Sequence, residues 1–227
     1  MIEEQQPITE TIREIRKRLR LSMDGIVSTL MREQGIKYKI NFGVNLPRVQ
    51  EIAKLFTPSA ELADALWKED VRELKILAIL LHPTAQFTVV KAEQWTRDIK
   101  HQEIAELYCA KLVNACSFAP TVALQWIESD EAYTITVGYL LLSRIYAQGT
   151  TLTTNQYNLF ISKAIIALES ETSRVRRAAL LALKRYGRNS QQQANQLLGS
   201  LVSFNQSDSA EKQEIFDDLK FEFDYYG

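Results

Sequence analysis

Ala65-Leu-Trp-Lys-Glu-Asp-Val-Arg-Glu-Leu-Lys-Ile-Leu-Ala78 is the stretch on which the architecture turns. It reads as the end of one helix closing on a tryptophan, a short charged turn, and the start of a more apolar helix. The same grammar returns in Leu124-Gln-Trp-Ile-Glu-Ser-Asp-Glu-Ala-Tyr-Thr-Ile-Thr-Val137 and in Ala167-Leu-Glu-Ser-Glu-Thr-Ser-Arg-Val-Arg-Arg-Ala178. Trp95, before Thr96-Arg-Asp-Ile-Lys100, occupies the same place in a further unit. A helix pair repeated every few tens of residues cannot bury its apolar face alone, so neighbouring pairs stack. The spacing therefore predicts an all-α protein, an α-solenoid or α-α superhelix. Trp67, Trp95 and Trp126 share one register, which makes them packing residues between repeats.

Outward from these units, apolar residues recur at three- and four-residue intervals and alternating strand patterns are scarce. Thr9 is placed to cap a first helix to about Leu21, and Asp24 lies in the break before a second that ends at Gly35. Residues 36–46 form the longest irregular piece, with Pro47 early in the next helix. Further helices are expected from Ser59 to Trp67, from Asp70 to before Pro83, and near 88–98, 101–115, 119–128, 130–147, 155–169, 173–187, 190–203 and 209–223. The expected organisation is one repeat domain over 1–227. Helices in 1–35 open it, repeats fill 36–204, and a capping helix closes it in 205–227.

Among 227 residues there are 8 Gly and 5 Pro, consistent with long helices that rarely need unusual backbone geometry. Cys109 and Cys116 are too few for a disulfide framework and fall in helical pattern, so a reducing, cytoplasmic setting is expected. The N-terminal run lacks an apolar signal-type stretch, and no segment has the length of a membrane span. The two cysteines lack the histidine or carboxylate spacing of a zinc site, so no metal or other cofactor is expected. Neither a phosphate-binding glycine loop nor a serine nucleophile motif is present.

Charge is concentrated rather than abundant. Net charge is −1, yet the helix Ser173 to Arg188 carries six arginines and lysines and no acid between Arg174 and Arg188. At about 100° per residue, Arg174, Arg177, Lys184, Arg185 and Arg188 share roughly one third of the circumference with Leu181. Val175, Ala179, Ala182 and Tyr186 form the neighbouring apolar face, and Arg176 points elsewhere. Such a stripe suits a row of phosphates. A second cluster, Arg13, Arg16, Lys17, Arg18 and Arg20, has Glu10 and Glu14 beside it, so local pairing accounts for it equally well. The segment after Asp208 is acidic and aromatic, with Phe216, Phe221, Phe223, Tyr225 and Tyr226, as a terminal cap would be.

Phe42-Gly-Val-Asn-Leu-Pro-Arg-Val-Gln-Glu-Ile-Ala-Lys54 resembles a motif of the DNA alkylation repair family, the HEAT-like alkylpurine DNA glycosylases. Ala63-Asp-Ala-Leu-Trp67 with the helix that follows it, and Ala123-Leu-Gln-Trp-Ile-Glu-Ser-Asp-Glu131, are similar to that family's helix pairs. The resemblance covers most of the chain after about residue 30. It implies a C-shaped solenoid of HEAT-like antiparallel pairs that grips double-stranded DNA on a basic concave face and hydrolyses the N-glycosidic bond of alkylated purines. There a carboxylate beside aromatic surface steadies an oxocarbenium-like sugar and orients a water. Carried onto this chain, the family's aromatic and carboxylate fall on Gln102 and Glu106, its later tryptophan on Leu181, and the arginine that follows on Lys184. The intermediate arginine would lie in Tyr133-Thr-Ile-Thr-Val137, which contains no cation. Glu103 reads as merely exposed. His82 is expected at a helix end, and His101 at the start of the Gln102/Glu106 helix. The expected protein therefore binds duplex DNA and either recognises or hydrolyses its alkylated purines, with a catalytic surface depleted of the family's aromatic and arginine residues. A repeat scaffold for a protein partner is the alternative.

Overall fold

The computed structural model describes residues 7–226. Met1 to Gln6, within the expected N-terminal helices, the side chain of Tyr226 in the acidic tail, and Gly227 lie outside the described residues. The described chain is helical apart from one isolated parallel bridge between Ile40 and Val71. It divides into two compact units, residues 1–95 with 100–116, and 96–99 with 117–227.

In the first unit, α1 (Ile8–Leu21) has Pro7 rather than Thr9 at its cap position, and α2 (Gly25–Glu33) begins where Asp24 accepts bonds from the Ile26 and Val27 amides at 3.0 Å. Next come α3 (Leu46–Ala53), capped by Asn45, and α4 (Ala60–Trp67), capped by Ser59. Then follow α5 (Arg72–Leu81), α6 (Val89–Asp98), whose last turn from residue 96 counts with the second unit, and α7 (Gln102–Lys111). The expected helix to 115 stops at Leu112, whose φ of −126° leaves the helical region, and a short 3₁₀ turn follows. α4 packs on α5, and α5 packs in turn on α3 and α7.

The second unit holds α8 (Ala119–Trp126), α9 (Ala132–Tyr146), α10 (Thr154–Leu168), α11 (Ser173–Gly187), α12 (Gln191–Ser200), α13 (Val202–Asn205) and α14 (Ala210–Tyr226). Thr153 and Gln156 form a reciprocal capping box at the start of α10. The helix expected over 190–203 breaks at Leu201, which is fully buried. α8 pairs with α9 and α10 with α11, while α9 stacks directly on α11 and α8 on α10. Helix pairs laid side by side in two rows are the stacking of an α-solenoid.

The tryptophans lie in the packing layer, each 2–5% exposed. Trp67 and Trp95 stack with ring centroids 4.2 Å apart and planes 1° from parallel, and His82, Phe87 and Tyr108 surround them. Two glycines are dictated by close approach. Gly43 has a φ of +70°, and a Cβ there would come within 2.1 Å of the Asp24 carbonyl oxygen, which explains the glycine of the Phe42-Gly-Val stretch. At Gly187 a Cβ would meet the Phe223 ring at 2.3 Å, so the last helix lies almost on the α11 backbone.

Candidate nucleic-acid interface

α11 owes its two faces to its sequence. Val175, Ala178, Ala179, Ala182, Leu183, Tyr186 and Gly187 are buried, and the alanines among them leave room for α9 to pack closely. The cations take what remains of the surface. Arg177 and Arg185 are exposed, Leu181 between them is 37% exposed, and Arg174, Lys184 and Arg188 are half-buried.

Their partners divide the stripe in two. Arg174 lays its guanidinium over the Tyr133 ring, 4.4 Å from the centroid. Arg177 bonds only within its own turn, to the Ser173 carbonyl and hydroxyl at 3.3 and 3.2 Å. Arg185 makes no ion pair or hydrogen bond among the described residues. Lys184, by contrast, reaches Asp218 at 2.8 Å and Glu222 at 3.6 Å, and Arg188 is paired with Glu222. Arg176 turns away, donating to the Ser170 carbonyl at 2.6 Å. The lack of acids along α11 thus holds within the helix only, because α14 supplies carboxylates to its C-terminal half. Likewise the stretch 133–137, without a cation of its own, receives one from Arg174 on the next helix of its row.

On α7, in the other unit, Gln102 and Glu106 are exposed, and the Gln102 amide donates to Glu106 at 2.9 Å. The residues nearest in sequence, Ile104, Ala105, Leu107 and Tyr108, are buried toward the core. His101 precedes the helix, its Nε2 is 3.1 Å from the Lys37 carbonyl, and its ring lies 4.2 Å from that of Tyr38. Burial lowers its pKa, opposed by the Lys37 carbonyl.

The expectation that Glu103 is simply exposed needs correction. Its carboxylate takes Arg72 in a two-point clasp, at 2.7 and 2.5 Å, on a side chain one third exposed. Arg72, 2% exposed, also donates to the Val44 carbonyl and to Glu73, each at 2.9 Å. Glu73, wholly buried, accepts from the Phe42 and Val44 amides at 3.1 and 3.2 Å. Burial works against the Arg72 charge, but the bonds and fields of Glu103 and Glu73 outweigh it and raise its pKa. Tyr38 lies at the edge of this network, and burial, then Glu103, push its phenol well above its usual range. Sequence reasoning passed over this network. The signal was there in Arg72-Glu73 heading an apolar helix, since a charge pair inside a buried run must find partners.

Among the described residues no cluster of three or more histidine, cysteine or acidic side chains could hold a metal ion, and no helix is long and apolar enough to cross a membrane. Cys109 and Cys116 are buried and unbridged.

A sequence profile of the DNA alkylation repair enzyme family matches residues 15–209. The chain belongs to that family. No curated protein sequence matches it. A solved structure described as "A new family of proteins related to the HEAT-like repeat DNA glycosylases with affinity for branched DNA structures" is similar over 92% of this chain and 94% of its own, at 12% identity and a TM-score of 0.74. That likeness shows a HEAT-like repeat fold. A designed armadillo repeat protein in complex with the peptide (KR)4 aligns over 98% of this chain and 95% of its own at 12% identity, with a TM-score of 0.44. Cex1p aligns over 96% and 44% at 12% identity, with a TM-score of 0.47. Neither value bears on site or partner. In this DNA alkylation repair family member Gln102 and Glu106 lie one turn apart on α7, and Leu181 and Lys184 lie on α11.

Proposed function

We propose that this protein binds double-stranded DNA, including branched forms, through Arg174, Arg177 and Arg185 of α11, and that it does not cleave the N-glycosidic bond. The observation that carries the reading is the arrangement of those three guanidinium groups on one face around Leu181, with no carboxylate against any of them. Guanidinium groups held on an aromatic ring or on the helix's own first turn are oriented before a phosphate arrives. Lys184 and Arg188 are occupied by α14 and play the lesser part. Family membership supports nucleic acid as the partner, and the relative described as having affinity for branched DNA supports junctions as a substrate form.

The α7 site supports the absence of cleavage. The family resemblance sets an aromatic residue one helical turn before the carboxylate that orients water beside a cationic sugar, and here that place is taken by Gln102. Glu106 has instead an amide donor at 2.9 Å and an exposed position. An alkylated purine would be retained as part of the duplex and left intact.

The test combines binding and excision. Fluorescence anisotropy with a labelled duplex and a four-way junction gives log K against log salt, with a negative slope expected from counterion release. Converting Arg174, Arg177 and Arg185 together to Ala should flatten that slope by about 3, close to 0.9 for each lost phosphate contact. Circular dichroism should be unchanged, since two of the three are exposed. A parent protein that fails to bind at low salt, or a triple variant that binds like the parent, defeats the reading. Release of N7-methylguanine above a protein-free control, abolished by Glu106→Gln, would establish the glycosylase instead.

A further inference from the structure

The outer surfaces of α1 and α14 are opposite in charge, and each sets exposed apolar side chains among its charges.

At the start of the chain, α1 carries five cations against two carboxylates. Arg16 and Arg18 are engaged by Glu69 and Glu14 at 3.0 Å. Arg13, Lys17 and Arg20 are exposed on one side of the helix, at i, i+4 and i+7, and make no ion pair among the described residues. Leu21, one turn after Lys17, is 81% exposed, and Met23, Ile26 and Leu30 of the α1–α2 corner are 60%, 76% and 50% exposed. Four bare aliphatic side chains within ten residues, rimmed by cations, form an interaction surface rather than scattered exposure.

At the end of the chain, α14 carries six carboxylates against two cations. Its inner face is committed: Phe216, Leu219 and Phe223 are buried, and Asp218 and Glu222 are held by α11. Its outer face holds Glu214, Asp217 and Asp224 in line with Phe221, which is 70% exposed and stacked on Tyr225 at 6.2 Å. A helix already seated by its inner face has no folding reason to present a phenylalanine among carboxylates.

We infer that the α1–α2 corner of one copy docks on the outer face of α14 of a second copy, a head-to-tail contact that repeats from copy to copy. Phosphates alone would need the cations and leave Leu21, Met23, Ile26 and Leu30 unexplained. An acidic face with aromatic residues accounts for both, and this chain supplies one. Unlike faces on one molecule give a heterologous contact, which extends until a face is blocked. A contact made by a few exposed side chains on each face is weak and reversible.

Sedimentation velocity of the full chain, from low micromolar to near-millimolar concentration, tests it. The weight-average sedimentation coefficient should climb with concentration and fall back as salt screens the charges. Arg20→Glu with Ile26→Glu blocks the first face, and Phe221→Lys with Asp224→Lys blocks the second. Each double variant alone should sediment as a monomer, whereas an equimolar mixture should form a species of two chains and nothing larger. Lys17→Glu with Leu21→Ser serves for the first face should the other pair melt early. A parent that stays monomeric throughout overturns the inference. So does self-association that survives loss of the α14 face, which would mean that the corner pairs with itself. A monomer whose duplex binding is lost with the corner variant would make the corner a DNA contact instead.

Discussion

Arg72 and Glu73 are neighbours in the chain and share one buried network, in which each charge has both an opposite charge and backbone partners. Such a network contributes position more than net stability, because desolvation offsets much of the attraction. What it positions is the stretch 42–44, whose amides and carbonyl it holds against α5, and α7 through Glu103. Breaking one member is costly because the others stay buried. Glu73→Ala, which orphans two amides, should lower stability by about 3 to 5 kcal/mol, seen as an earlier urea midpoint. His82 gives a second prediction. It is 5% exposed, sits edge-on to Phe87 and Trp95, and its Nδ1 faces the Pro83 carbonyl at 3.0 Å. Burial lowers its pKa against that carbonyl, with Asp64 and Lys91 as weaker, opposed influences. A depressed histidine makes the folded state bind fewer protons than the unfolded chain. Its stabilising share is therefore complete above the unfolded pKa of about 6.5 and is lost as pH falls toward the lower folded value. Thermal melts should weaken from pH 7 to pH 5, and His82→Phe should flatten that dependence, leaving the share of His101.

At the level of elements, α11 and α14 are the informative pair. Phe223 against Gly187 fixes the approach, and Asp218 and Glu222 then meet Lys184 and Arg188. If α11 is the DNA surface, these carboxylates set its affinity. Asp218→Asn with Glu222→Gln should tighten duplex binding severalfold and steepen the salt dependence, measured by the same anisotropy titration. An unchanged affinity would place Lys184 and Arg188 outside the contact. Helix positions were legible in the sequence because apolar spacing and caps such as Asp24 and Ser59 are local signals. The stripe's own face was legible for the same reason. Its neutralisation was not, because Asp218 lies 34 residues beyond Lys184 and a wheel drawn for one helix contains no other helix. Glu103 was misread on identical grounds, its partner Arg72 being 31 residues away. Arg174 over Tyr133 belongs to the same class: it requires knowing that α9 and α11 are adjacent.

For the whole molecule, the tryptophans are divided between the two units: Trp67 and Trp95 in the first, Trp126 in the second. The first two lie face to face with centroids 4.2 Å apart, close enough for their electronic transitions to couple, while Trp126 has neither of them in its own unit. The native chain thus contains two distinguishable chromophores. A Trp126→Phe variant leaves only the coupled indoles, and its tryptophan fluorescence follows the first unit alone during denaturation. A Trp95→Phe variant removes the coupling and sets apart the signal that belongs to it. If the units melt independently, the two optical traces will separate along the denaturant axis, and if they melt together the traces will superimpose. Evolution's use of flat indoles as mortar between repeats has thereby equipped this protein with its own spectroscopic labels.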